Sequence, residues 1–194
     1  MNTDLGNGEH LFFTSDTHFG HKNIITICNR PFNSVEEMNE TLIENWNKKV
    51  SPDDTIFHLG DFALGGSNVW IPILERLNGH KYLILGNHDY KNIREGFKKY
   101  FELVLPQMCV LIEGRTIYLN HFPFLCYGGS WREDPTWQLF GHVHTGSIGK
   151  DTPRLKYLFP TQYDVGVDGN NFAPVSYAEV KAIITQQINE SKNE

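Results

Sequence analysis

Two hydrophobic rhythms alternate through the first half of the chain. Short apolar runs at Leu11-Phe12-Phe13, Thr55-Ile56-Phe57-His58-Leu59 and Tyr82-Leu83-Ile84-Leu85 each close on a polar break, which predicts buried strands. Between them apolar residues recur every three or four positions. Val35, Met38, Leu42 and Trp46 predict a helix running to about Lys49, opened by Ser34-Val35-Glu36-Glu37 in capping-box form. Ser67 to Leu77 predicts a second helix, with Pro72 tolerable only near its first turn and Asn78-Gly79 closing it. Tyr90 to Phe101 is a third, weakened by Gly96. Ser176-Tyr177-Ala178-Glu179 repeats the capping box and opens a last helix carrying Val180, Ile183, Ile184 and Ile188, with residues 189–194 expected to fray.

Strand and helix in alternation predict a parallel sheet built from βαβ units. From about residue 103 the strands crowd together: Cys109-Val110-Leu111-Ile112, Ile117-Tyr118-Leu119, Gln138-Leu139-Phe140 and Tyr163-Asp164-Val165-Gly166-Val167. Hairpins, or a second sheet packed on the first, follow from that spacing. The expected fold is α/β, a layered α/β/β/α sandwich of two packed sheets flanked by helices. The chain shows no repeat, low-complexity tract or Pro/Ser-rich linker, so residues 1–194 are expected to form one domain. Gly128 to Pro135, containing Trp131-Arg132-Glu133-Asp134, reads as a surface loop.

Composition narrows the function. No apolar stretch approaches the ~18 residues that span a bilayer, and the polar residues 1–10 do not form a leader, so a cytoplasmic protein is expected. Three scattered cysteines, Cys28, Cys109 and Cys126, make a disulfide framework improbable. Cys126 is expected to be packed as a small hydrophobe. A net charge of −6, from 17 basic and 23 acidic residues, argues against an extended nucleic-acid surface but not against a small phosphate ester.

The strand ends carry the chemistry. In chain order the breaks read Asp16-Thr17-His18, Gly60-Asp61, Gly86-Asn87-His88-Asp89, Asn120-His121 and Gly141-His142-Val143-His144. In open α/β sheets ligands collect where the carboxyl ends of strands meet. Asp16-x-His18 would put a carboxylate and an imidazole on one side of an extended segment, and His142-x-His144 repeats that spacing. Oxygen donors mixed with imidazole suit Mn²⁺, Fe or Zn²⁺, and not Ca²⁺ or an iron–sulfur cluster. One such pair is a common polar turn; five in order are not.

With this set the chain resembles the calcineurin-like metallophosphoesterases, from about residue 11 to residue 145, as a small single-domain member. Asp164 to Ser176 also looks like the family's closing strand and loop. The resemblance implies two divalent metal ions, Mn²⁺ first with Fe, Zn²⁺ or Ni²⁺ as alternatives. One would be held by Asp16, His18, Asp61 and His144, the other by Asp61, Asn87, His121 and His142. A hydroxide bridging the metals would attack phosphorus, His88 would contact the phosphoryl group and protonate the leaving group, and Asp89 would orient His88. Asn87 and His88 are therefore also substrate contacts in this reading. His21, Arg30 and Arg132 are further candidates, since arginine's planar fork suits phosphate. A solvated surface position is the alternative for all three. His58 is expected to be a hydrogen-bonded core residue, and His10 and His80 to be surface.

Two departures concern recognition, not metal binding. Asn120 precedes His121 where many members have Gly, and Phe62-Ala63-Leu64 follow Asp61 where many place a charged residue. A phosphate-loop reading of Gly60 to Ser67 fails because Gly66 stands where the lysine must be. The implied function is hydrolysis of phosphodiesters on a small, nucleotide-derived or other, phosphoester. A phosphomonoesterase, a nuclease and a non-catalytic scaffold are the alternatives.

Overall fold

A computed structural model of the chain describes residues 3–130, 132, 135–145 and 158–192. Trp131, Glu133 and Asp134 of the expected surface loop, and the last two residues of the tail, lie outside the described residues.

The elements follow in the order β1 (Thr3–Asp4), β2 (Leu11–Thr14), α1 (Lys22–Ile27), α2 (Val35–Lys49), β3 (Thr55–His58), α3 (Ser67–Leu74), β4 (His80–Ile84), α4 (Tyr90–Arg94), a 3₁₀ turn (Phe97–Tyr100) and β5 (Leu103–Leu105). Then come β6 (Gln107–Ile112), β7 (Arg115–Asn120), β8 (Trp137–Phe140), β9 (Gln162–Asp164), a second 3₁₀ turn (Val167–Gly169), β10 (Val175–Ser176) and α5 (Tyr177–Ser191). They build two five-stranded mixed sheets, ordered β10-β2-β3-β4-β5 and β1-β6-β7-β8-β9. The first is parallel from β2 to β5, as the strand–helix alternation predicts, with β10 antiparallel at its edge. In the second, β6 and β7 form an antiparallel hairpin, while β7, β8 and β9 run parallel.

Period-two alternation sorts the side chains between two cores. On the helix side of the first sheet, Ile56 and Leu83 pack with Met38, Leu42 and Trp46 of α2 and with Trp70 and Leu74 of α3. On the other side, Phe13, Phe57 and Ile84 meet Ile117, Leu119 and Leu139 of the second sheet. Register places Phe13 beside Phe57 and Phe57 beside Tyr82, so the aromatic rings stack along the sheet. α5 touches β9 of one sheet and β2 and β10 of the other, and adds Tyr177, Val180 and Ile184 to the core between them. None of the helices among the described residues is long and apolar enough to cross a membrane.

Several boundaries differ from expectation for identifiable reasons. Pro72 sits inside α3, which ends at Leu74 instead of Leu77. The expected helix 90–101 breaks at Gly96, whose left-handed backbone (φ 89°) separates α4 from the 3₁₀ turn. The strand expected over 163–167 ends at Asp164, and the chain turns at Val167–Gly169. α5 continues through Ser191 into the tail expected to fray. At Ser34 only half of the capping box forms: Ser34 accepts from the Glu37 N–H, but the Glu37 carboxylate takes the Asn33 N–H. At Ser176 both halves are made, with the Glu179 carboxylate accepting the Ser176 N–H. Replacing Ser176 by Ala is therefore expected to lower unfolding free energy by about 1 kcal/mol. Urea denaturation should show this as a lower midpoint at constant slope.

Candidate metal centre

All five ligand-bearing breaks sit just past the carboxyl ends of β2, β3, β4, β7 and β8, and the folded chain gathers them into one cleft. Their backbones are not extended. Asp16, His18, Asp61, His142 and His144 have positive φ, between 49° and 70°. The two x-spaced pairs are consequently not strand pairs projecting to one side; each is a tight turn beyond the strand. Left-handed backbone costs roughly 1–2 kcal/mol per residue outside glycine, so the surrounding bonds must hold these turns in place.

Those bonds run from loop to loop. Asp16 donates its N–H to the Gly60 carbonyl, and His18 donates to the Asp61 carbonyl, so the first two loops zip together past their strands. Asp61 accepts the His88 N–H on Oδ1 (2.8 Å), and Asp16 accepts the His142 N–H on Oδ2 (2.8 Å). Such close crossings require glycine. A Cβ on Gly86 would overlap the Asp61 carboxylate, and one on Gly141 would overlap Ser15 and Asp16.

Each carboxylate keeps its other oxygen for the cleft. Asp61 Oδ2 lies 3.6 Å from His18 Nε2, 3.4 Å from His121 Nε2 and 3.9 Å from His88 Nε2. Asp16 Oδ1 lies 3.8 Å from His144 Nε2 and 3.9 Å from His18 Nε2. Donor atoms of Asp16, His18 and His144 fall within 4.8 Å of one another, as do those of Asp61, His121 and His142. His142 and His144 thus part company, each joining a different group. Asn87 Oδ1 lies 3.1 Å from His121 Nε2, beside the second group.

This donor set fits divalent cations on two observations. Asp16 Oδ1 and His18 Nε2 are buried without a hydrogen-bond partner, which native structures rarely tolerate. His121 Nδ1 must donate to the Leu59 carbonyl (2.7 Å), so its Nε2 turns a lone pair toward Asn87 and Asp61 oxygens. Acceptors facing acceptors need a proton or a cation between them. Burial alone would lower the His121 imidazole, yet the Asp61 and Asp16 carboxylates outweigh it and raise it. Burial lifts Asp16, whose Oδ1 has no donor, to about 6, whereas Asp61 is lowered by His121 and the His88 N–H despite its burial. Divalent cations would compete with those protons.

Supporting residues account for several misjudged positions. Arg30 is neither a phosphate contact nor a solvated arginine. It is buried, bidentate to Asp168 (2.8 and 2.9 Å), and donates to the Asp16 and Thr17 carbonyls. Asp168 in turn accepts His144 Nδ1–H (2.7 Å), which orients the ring with Nε2 3.8 Å from Asp16 Oδ1. Burial would lower His144, but the Asp168 bond, nearby Cys28 and Asp16 lift it to about 10. Asp168 was missed from sequence; its signal was an acidic residue in the turn after β9.

Asp89 does not orient the His88 ring. Its carboxylate accepts the N–H groups of Asp61, Phe62 and Gly86 (2.9, 3.0 and 2.8 Å) and so locks two ligand loops together. The His88 side chain is 43% exposed, with its ring 5.3 Å from that of His18. His21 stands at the rim, Nδ1 3.2 Å from His18 Nδ1, and burial followed by His88 lowers its pKa. Arg132 is exposed on its loop and is not brought into the cluster. Cys126 is exposed, not packed; His10 and His80 are surface residues paired with Asp54 and Glu102.

A family model described as calcineurin-like phosphoesterase matches residues 10–158, which include every candidate ligand. An uncharacterised protein of Methanocaldococcus jannaschii is 35% identical over 171 residues, 86% of this chain and 86% of that protein. The gene 66 protein of Mycobacterium phage L5 is 31% identical over 183 residues, covering 81% of this chain and 86% of its own length. The crystal structure of a protein of unknown function from Aquifex aeolicus superposes with a TM-score of 0.70 at 27% identity, over 89% of this chain and 98% of the other.

Two predictions follow from the supporting bonds. Replacing Asp168 with Asn should weaken Mn²⁺ binding, measured by calorimetry, by about 10–100-fold. His58 gives a pH dependence. It accepts the Gly60 N–H on Nδ1 and donates Nε2–H to Thr17, and burial lowers it to about 3. The unfolded chain binds a proton there near 6.5 and the folded chain does not, so stability is complete above that pH and falls as pH drops toward 3. One such proton gives a slope of about 1.4 kcal/mol per pH unit. A His58→Gln variant should show a shallower fall in unfolding free energy between pH 6.5 and pH 5.

Proposed function

We propose that this chain, which belongs to the calcineurin-like phosphoesterases, hydrolyses phosphodiesters with His88 as general acid. The coarser activity, metal-dependent hydrolysis of phosphoric esters, comes with the family. What supports a pair of cations is the shared position of Asp61, whose Oδ2 lies 3.6 Å from His18 Nε2 in one direction and 3.4 Å from His121 Nε2 in another. Asp16, His18, Asp61 and His144 would hold one cation; Asp61, Asn87, His121 and His142 would hold the other. Oxygen and imidazole donors without thiolate favour Mn²⁺, with Fe, Zn²⁺ and Ni²⁺ as alternatives. When bound, such a pair lowers the pKa of an attacking water and neutralises the phosphoryl oxygens.

The remaining work falls to the protein. Hydrolysis joins a water oxygen to phosphorus and expels the ester oxygen, which must leave with a proton. His88 is the exposed imidazole of the cluster, held by its own N–H on Asp61, and donates that proton before recovering one from solvent. Among the described residues its ring has no carboxylate partner within hydrogen-bonding distance; Asp61 Oδ2 lies 3.9 Å away. A diester is favoured over a monoester because the extra charge of a dianion wants a fixed cation. Arg30 is committed to Asp168, and His21 is lowered toward the neutral form.

A His88→Ala variant should retain Mn²⁺ yet lose roughly 10²–10⁴ in turnover on esters with poor leaving groups. Equal turnover of variant and wild type removes His88 from the mechanism. With Mn²⁺ added, bis-p-nitrophenyl phosphate should be cleaved in preference to p-nitrophenyl phosphate; the reverse order makes the protein a monoesterase.

A further inference from the structure

We propose that Phe122 is a stacking platform for a planar ring on the retained arm of the substrate, so that preferred diesters carry a nucleobase there. This rests on the phosphodiesterase reading above. The Phe122 ring packs edge-on against His121 and His142, with centroids 4.9 and 4.7 Å apart. It is nevertheless 44% exposed, so one side touches the second donor group while the rest meets solvent. The loop around it runs Phe122-Pro123-Phe124-Leu125, with Leu125 81% exposed. Phe124 turns inward onto Tyr118 and Tyr127, while Phe122 and Leu125 are left exposed at the lip of the cleft.

The loop is also held in place. Asn120 Oδ1 accepts the Phe122 N–H (2.8 Å), which gives a role to the asparagine standing before His121. Gln138, fully buried on β8, donates to the Phe122 carbonyl (2.9 Å) and accepts the Phe124 N–H (2.9 Å). Gln162, buried on β9, donates to the Phe124 carbonyl (2.9 Å). Two buried side-chain amides therefore fix the backbone on which the ring is mounted. A preset aromatic surface loses little freedom when a base stacks on it.

Direction follows from the two groups. The His88 ring lies by His18, and Phe122 lies by His121 and His142. A leaving arm at His88 and a retained arm on Phe122 therefore occupy different sides of the cleft and do not compete for the same space.

Two chromogenic diesters with the same leaving group test this: thymidine 5′-(p-nitrophenyl phosphate) and methyl p-nitrophenyl phosphate. Wild type should prefer the thymidine ester. In Phe122→Leu the loss of kcat/KM on the thymidine ester should exceed that on the methyl ester by about tenfold, the scale of one base–aromatic stack. Phe122→Trp should keep or raise the preference. Equal losses on both esters overturn the platform while leaving the phosphodiesterase reading intact. Failure of wild type to cleave either diester ends that reading instead, and binding then decides the platform. Thymidine 5′-phosphate should bind wild type about tenfold more tightly than deoxyribose 5-phosphate, and this gap should close in Phe122→Leu. Equal affinities in wild type, or a gap that survives the substitution, overturn the proposal.

Discussion

The cleft depends on how closely separate loops can cross. Asp61 reaches the N–H of His88, and Asp16 reaches the N–H of His142, only because Gly86 and Gly141 present no side chain at the crossing points. Each carboxylate is thereby fixed at one oxygen by a neighbouring loop and left open at the other. Five candidate ligand positions sit in left-handed backbone, which Asp and His adopt more readily than most residues but still at a cost. Loop-to-loop hydrogen bonds hold that strain, and they hold it where rigid geometry matters most.

Around this crossing lies a buried polar frame with few loose ends. Arg30, Asp168 and His144 form one line of support, reaching from the backbone of Asp16 to the cleft-facing nitrogen of His144. His58, Thr17 and the Phe62 carbonyl form a second, and Asp89 with three backbone N–H groups a third. Groups in these lines satisfy one another. Among the described residues, Asp16 Oδ1 and His18 Nε2 are buried in the cleft without a hydrogen-bond partner, 3.9 Å from each other. Leaving buried polar atoms unmade costs about 1–3 kcal/mol each, a cost that a bound cation removes.

Rigid support and exposure divide the residues of the cleft. Asp16, Asp61 and His121 are buried and bonded on several sides, whereas His88, Asn87 and Phe122 open to solvent. In the proposed reading this exposed set is where a substrate meets the protein, on loops whose positions the strands and buried glutamines determine.

Sequence alone was enough for the strand–helix alternation, the two-sheet architecture and the identity of the five motif-bearing breaks. Those signals are local: apolar periodicity, glycine before a ligand, and residue types with narrow chemistry. Helix ends at Leu74 and Gly96 and the early end of β9 were less legible, because backbone conformation and packing at single residues decide them. The roles of Arg30, Asp89 and Asp168 could not be read at all. Arg30 and Asp168 are 138 positions apart, and no spacing rule links them. Asp89 stands beside His88 in sequence, yet its carboxylate turns to the Asp61 loop. Sequence names which groups can bind or react; only the meeting of distant loops fixes which oxygen or nitrogen each one has left to offer.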